Sequence, residues 1–178
     1  KVIEFNDIAA LETALSARDV AAVLAEPVMT NIGIIHPNPG YHDALREMTR
    51  KYGTYLIIDE THTICTGPGG YTASFGLQPD FLTLGKPLAG GVPAAIYGFT
   101  EEVSKAFAEK LSVEDSDVGG IGGTLSGNAL SIAAMKATLQ NVLTEEFYSK
   151  ATALQEQFTE GVQSVSKEFN LPWIVKQL

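Results

Sequence analysis

"YHDALREMTRKYGTYLIIDE" occupies residues 41–60 and joins a helical pattern to a strand pattern. Ala44, Leu45, Met48 and Tyr52 share one helical face, and Gly53 stands where a helix can end on a left-handed residue. "TYLIID" (54–59) is then apolar until Asp59-Glu60, which reads as a short strand buried on both faces. The same alternation recurs outward from this unit. "LETALSARD" (11–19) has helical spacing and precedes "VAAVLAEPV" (20–28), an apolar run stopped at Glu26-Pro27. Downstream, "DFLTLG" (80–85) and "AAIYGFT" (94–100) read as strands. Residues 101–111, 128–142 and 145–169 read as helices. "HPNPG" (36–40), "TGPGG" (66–70) and "GGIGGTLSG" (119–127) read as loops.

This alternation predicts an α/β fold: a mainly parallel sheet with flanking helices on both faces. In such sheets ligands bind beyond the carboxyl ends of the strands. Glu26, Asp59, Glu60 and Lys86 are the polar residues at those ends.

Composition narrows the field. The 178 residues are 45% hydrophobic and 19% charged, enough apolar content for a packed core. The net charge of −9 argues against sequence-independent nucleic-acid binding, which needs a basic face. The one cysteine, Cys65, permits no intrachain disulfide and fits a reducing compartment. No apolar run approaches the ~20 residues of a membrane helix. The expected location is the cytoplasm, with organellar targeting left open because the chain starts at Lys1 rather than methionine.

Lys86 ends an apolar segment in "FLTLGKPLAGG" (81–91). It reads either as a surface lysine or as a buried amine whose lowered pKa suits a Schiff base. Gly85, Gly90 and Gly91 would let a bulky cofactor approach the backbone. Asp59 reads as an exposed strand terminus or as a carboxylate awaiting a cation, such as the protonated pyridine nitrogen of pyridoxal phosphate. Thr124 in "GGTLSGN" offers a hydroxyl and an N–H just before a helix, a setting that suits phosphate. A metal-dependent hydrolase is a competing class, with Asp59, Glu60 and His62 as ligands and His36 or His42 added. Adjacent strand residues point to opposite faces, which makes Asp59 and Glu60 poor co-ligands. A non-catalytic α/β module is the third possibility.

Taken together, "AEPVMTNIGIIHPNPGYHDALREMTRKYGTYLIIDETHT", "GPGG", "FGLQPDFLTLGKPLAGGVPAAIYG" and "GGTLSGNALSIAAMKATL" resemble the class III pyridoxal phosphate-dependent aminotransferases. Within them the chain is most similar to the glutamate-1-semialdehyde aminomutase branch. The resemblance implies a fold-type-I arrangement, with residues 1–144 forming part of the large cofactor-binding domain. Residues 145–178 would form a connecting helix and the start of a C-terminal small domain. It implies pyridoxal 5'-phosphate as cofactor and a homodimer with shared active sites. Its substrates would be a small-molecule amino donor and a carbonyl acceptor, with no nucleic acid or membrane partner.

Residue by residue, the resemblance gives Lys86 the Schiff base and the proton shuttle, and Asp59 the pyridine nitrogen. It gives Thr124 the phosphate of the neighbouring subunit's cofactor. Glu26 and Glu60 would fix nearby backbone and side chains, and Asn31 would face the substrate pocket. Thr61 stands where a valine packs on the cofactor ring. His62 stands where a glutamine can contact the cofactor's phenolic oxygen, and is expected to reach that oxygen or the substrate pocket. Ile64, Cys65 and Thr66 depart from the usual Gly-Phe-Arg. These departures favour an aminotransferase acting between two substrates, with the intramolecular 2,1-aminomutase as the alternative. Measured against the family, the chain is expected to be one piece of a longer polypeptide, inactive alone.

Overall fold

A computed structural model of the chain describes residues 1–110 and 122–178. The end of the predicted helix at Leu111 and the first glycines of the 119–127 stretch lie outside the described residues. Strand β1 spans Ala22–Ala25, β2 Tyr55–Asp59, β3 Phe81–Leu84 and β4 Ile96–Phe99, in the order β1-β2-β3-β4. The pairings β1–β2 and β2–β3 are parallel, and β3–β4 is antiparallel. A parallel return needs a crossover of a dozen or more residues, usually a helix. The β3–β4 connection has only a 3-10 turn, Lys86–Ala89, so the strand comes back antiparallel.

Helix α1 spans Ile8–Leu15, earlier than residues 11–19 suggest. Asp7 caps it by accepting from Ala10 N–H at 2.8 Å, and Arg18 at φ +54 marks the turn beyond its end. Helix α2, Tyr41–Tyr52, ends at Gly53 in the left-handed region at φ +69. Leu11 and Leu15 of α1, Tyr41 and Leu45 of α2, and Leu56 and Ile58 of β2 form the core. These helices cover one face of the sheet.

The other face is more open than the two-sided expectation. Leu24 registers with Ile57, and so shares its face. Leu24 is 65% exposed and Tyr55 42%. Asp59 lies on this same face by alternation along β2.

Four further helices complete the described chain. A short α3, Gly70–Phe75, stands where no element was predicted. Helix α4 covers Glu101–Lys110, and its Phe107 ring lies 5.6 Å from that of Phe99. Helix α5, Ala129–Asn141, is capped by Asn128, which accepts from Ser131 N–H at 2.9 Å. Helix α6, Glu145–Glu168, is capped by Thr144. No helix among the described residues is long and apolar enough to cross a membrane.

Candidate functional site

Strand register brings the polar strand ends together. Ala25 pairs with Ile58, so Glu26 is the next residue in the row that holds Asp59. Asp59 pairs with Thr83, and Lys86 follows three residues later. Three chain segments thus deliver Glu26, Asp59 and Lys86 to one edge of the sheet.

Lys86 is exposed, which fits the surface setting of the two that the sequence allows, so burial does not set its character. The open sheet face leaves its side chain uncovered. Its Nζ instead contacts Nε2 of His62. Its backbone takes φ +42, a left-handed conformation that costs a non-glycine residue about 1–2 kcal/mol. Such strain concentrates at functional positions. Gly90 closes the turn at φ +59, and a Cβ there would lie 3.3 Å from Thr138 Oγ1 of α5. That glycine makes room for α5, not for the cofactor expected from the sequence.

His62 has two further neighbours, both at its Nδ1. Nδ1 contacts Thr30 Oγ1, and Glu26 Oε2 lies 3.8 Å away. Thr30 Oγ1 in turn donates to Glu26 Oε2 at 2.5 Å. Thr30 was not singled out in the sequence. A threonine five residues past a strand end carries no motif, and only the fold of the 26–35 loop turns it toward His62. That loop is pinned by mutual hydrogen bonds between Met29 and Ile35, at 3.1 and 3.0 Å.

Asp59 Oδ1 accepts from Thr61 N–H at 2.9 Å. Its other oxygen makes no hydrogen bond among the described residues. Thr61 lies beside Gly85, where an added Cβ would sit 3.6 Å from its Cγ2.

Glu60 points the other way and is fully buried. It accepts from Thr63 Oγ1 at 2.5 Å, from Tyr71 N–H at 3.1 Å and from Thr72 N–H. This buried carboxylate therefore organises the start of α3, although the sequence around it reads as a glycine loop. Gly70 is required there: at φ +68, its Cβ would meet Glu60 Oε2 at 2.7 Å. From α6, Tyr148 donates to Ile64 O at 3.0 Å and ties down the same segment.

The remaining candidates lie apart. His42 donates from Nε2 to Pro27 O at 2.9 Å, and burial pushes its pKa below the ordinary value. His36 is exposed, and Glu60 faces α3 rather than His62, so the proposed metal set does not converge. Among the described residues, no cluster of three or more His, Cys, Asp or Glu could hold a metal ion. Asn31 is exposed in the 26–35 loop, with no hydrogen bond to the Lys86 group among the described residues. Thr124 is exposed in a turn closed by Ser126 N–H on Gly123 O at 2.9 Å, four residues before the cap of α5.

A family profile described as aminotransferase class-III matches residues 3–176. A glutamate-1-semialdehyde 2,1-aminomutase of Neisseria meningitidis is 36% identical over 170 residues, covering 93% of this chain and 38% of that protein. The crystal structure of a glutamate-1-semialdehyde-aminomutase variant from Pseudomonas aeruginosa, in complex with PMP, superposes with a TM-score of 0.94. It is 46% identical, and the match covers 99% of this chain and 40% of that one. An omega-transaminase from Sphaerobacter thermophilus is 32% identical with a TM-score of 0.82, covering 99% of this chain and 40% of that one. The chain thus spans about 38% of the length of the curated relative it matches.

Proposed function

The chain belongs to the class III aminotransferase family, and we propose that the full-length protein uses pyridoxal phosphate to move an amino group within one substrate. That is the reaction type of a glutamate-1-semialdehyde 2,1-aminomutase. The similarity to aminomutases supports this form over the two-substrate transfer expected from the sequence. The observation that carries the reading is the meeting of Asp59 and Lys86 at the carboxyl ends of adjacent parallel strands.

The residues present suit the cofactor. Asp59 keeps one carboxylate oxygen without a partner among the described residues, on the open face of the sheet. A carboxylate so placed can hold a protonated ring nitrogen. Lys86 presents an exposed amine at the same edge for covalent attachment. Thr61 offers its γ-methyl against the ring, in the position the family gives to a β-branched residue. Thr124 serves the phosphate of the neighbouring subunit's cofactor in a homodimer. When bound, pyridoxal phosphate supplies an electron sink for bond breaking at the substrate's amino-bearing carbon.

The chain's own residues do the rest. Asp59 keeps the ring nitrogen protonated by opposing its charge. Lys86 Nζ would hold the cofactor, and as a free amine it would serve as the base for a substrate proton. Glu60 fixes the backbone that carries Asp59 and His62 by anchoring both ends of the 60–72 segment.

Amino transfer between two substrates is the second reading. It is favoured by "THTICT" (61–66), which departs from the aminomutase pattern around the ring. Turnover separates the two. The full-length enzyme given glutamate-1-semialdehyde alone should convert it completely, with no second carbonyl substrate. Conversion that stops after one equivalent, and resumes on adding a keto acid, would support the two-substrate form instead.

A further inference from the structure

We propose that His62, held by Thr30 and Glu26, is the proton acceptor that converts the Lys86 ammonium to a nucleophilic amine. This rests on the reading of Lys86 as the reacting amine. The hydrogen-bond directions carry it. A threonine hydroxyl has one proton. Thr30 spends that proton on Glu26 Oε2, so Thr30 Oγ1 can only accept from His62. His62 Nδ1 therefore carries hydrogen. In a neutral imidazole this leaves the Nε2 lone pair free, and Nε2 is the atom that meets Lys86 Nζ. The tautomer is set by a chain of contacts that starts at a carboxylate on another strand end.

The proton balance is simple. An N–H bond of the Lys86 ammonium breaks, and an N–H bond forms on His62 Nε2. Lys86 is left as a neutral amine with a lone pair. His62 becomes an imidazolium whose Nδ1 lies 3.8 Å from Glu26 Oε2. The carboxylate opposes the new charge, and the reverse transfer restores the ground state.

The titratable groups around His62 are Glu26 from the segment after β1 and Lys86 from the turn after β3. Asp59, Glu60 and Cys65 flank it on its own segment, and Tyr148 of α6 reaches that segment. Glu60 is taken up by Thr63, Tyr71 and Thr72. Glu26 is the carboxylate placed on Nδ1. Thr30 and Glu26 act through His62 and are positioning residues.

The test uses the full-length protein stripped of cofactor. Lys86 is labelled with limiting acetic anhydride across a pH series, and the Lys86 peptide is quantified by mass spectrometry. His62→Gln keeps a hydrogen-bond acceptor but cannot become a cation. It should slow Lys86 labelling near neutral pH, because the variant cannot take the proton that the attacking amine must lose. Thr30→Val should lower it as well, and Thr30→Ser should restore the wild-type rate. Labelling of His62→Gln at the wild-type rate and with the wild-type pH midpoint would overturn the proposal. Wild-type labelling in Thr30→Val would remove Thr30 and Glu26 from it. A separate arm loads wild-type protein with pyridoxal phosphate and reduces it with borohydride. Absence of cofactor on Lys86 there would sink the functional reading, whatever the labelling contrast shows.

Discussion

Lys86 is held in a backbone conformation that disfavours any side chain. Two substitutions separate this strain from the chemistry. Lys86→Gly relieves the left-handed strain and Lys86→Ala does not. The glycine variant should be more stable than the alanine variant by about 1 kcal/mol, after the entropy that glycine adds to the unfolded chain. Urea denaturation of the two full-length variants measures the difference; equal midpoints would mean the turn is unstrained. Glu60 is the second residue with a distinct signature. Its two oxygens serve Thr63, Tyr71 and Thr72. In Glu60→Gln one of these donors faces an NH2 group instead. The loss should be about 1–3 kcal/mol by thermal or urea unfolding, the cost of an unsatisfied buried donor.

Between elements, Arg46 of α2 clasps Asp80 just before β3, with its two terminal nitrogens at 2.7 and 2.8 Å. Leu56 N–H of β2 also donates to Asp80, at 2.7 Å. Burial works to raise the Asp80 pKa, but Arg46 and the Leu56 amide outweigh it, and the carboxyl sits below its ordinary value. The sign follows from linkage: this stability is fully present above the ordinary aspartate pKa of about 3.9, and is lost as pH falls through the lowered folded value. Asp80→Asn should therefore flatten the acid limb of a stability-against-pH curve. Arg46→Ala should cost about 3 kcal/mol near neutral pH, because it leaves a mostly buried carboxylate unpaired. The strands and the long helices were legible because apolar runs and 3.6-residue spacing are local signals. Lys86 and Asp59 were legible from their places at strand ends. Helix α3 was not, because its start depends on Glu60, ten residues upstream of Gly70. Thr30 was not, because its meeting with His62 spans 32 residues and leaves no trace in spacing. Whether Lys86 is exposed or buried stayed open, because a strand apolar on both sides does not tell which face the rest of the chain covers.

At the scale of the whole molecule, the proposed homodimer builds each site from Lys86 of one subunit and Thr124 of the other. Full-length Lys86→Ala and Thr124→Val should each be inactive alone. Mixed under subunit exchange, they should regain part of the activity, because a mixed dimer contains one site with both native residues. No recovery would place Thr124 with its own subunit's lysine. The exposed face that carries Asp59 is where the cofactor is proposed to lie, and Lys86 is proposed to anchor it there. The most direct measurement is borohydride reduction of the full-length, pyridoxal phosphate-loaded protein, followed by peptide mass spectrometry. The added cofactor mass should fall on the peptide containing Lys86 and disappear in Lys86→Ala. Cofactor fixed on another lysine, or persisting in Lys86→Ala, would contradict the account.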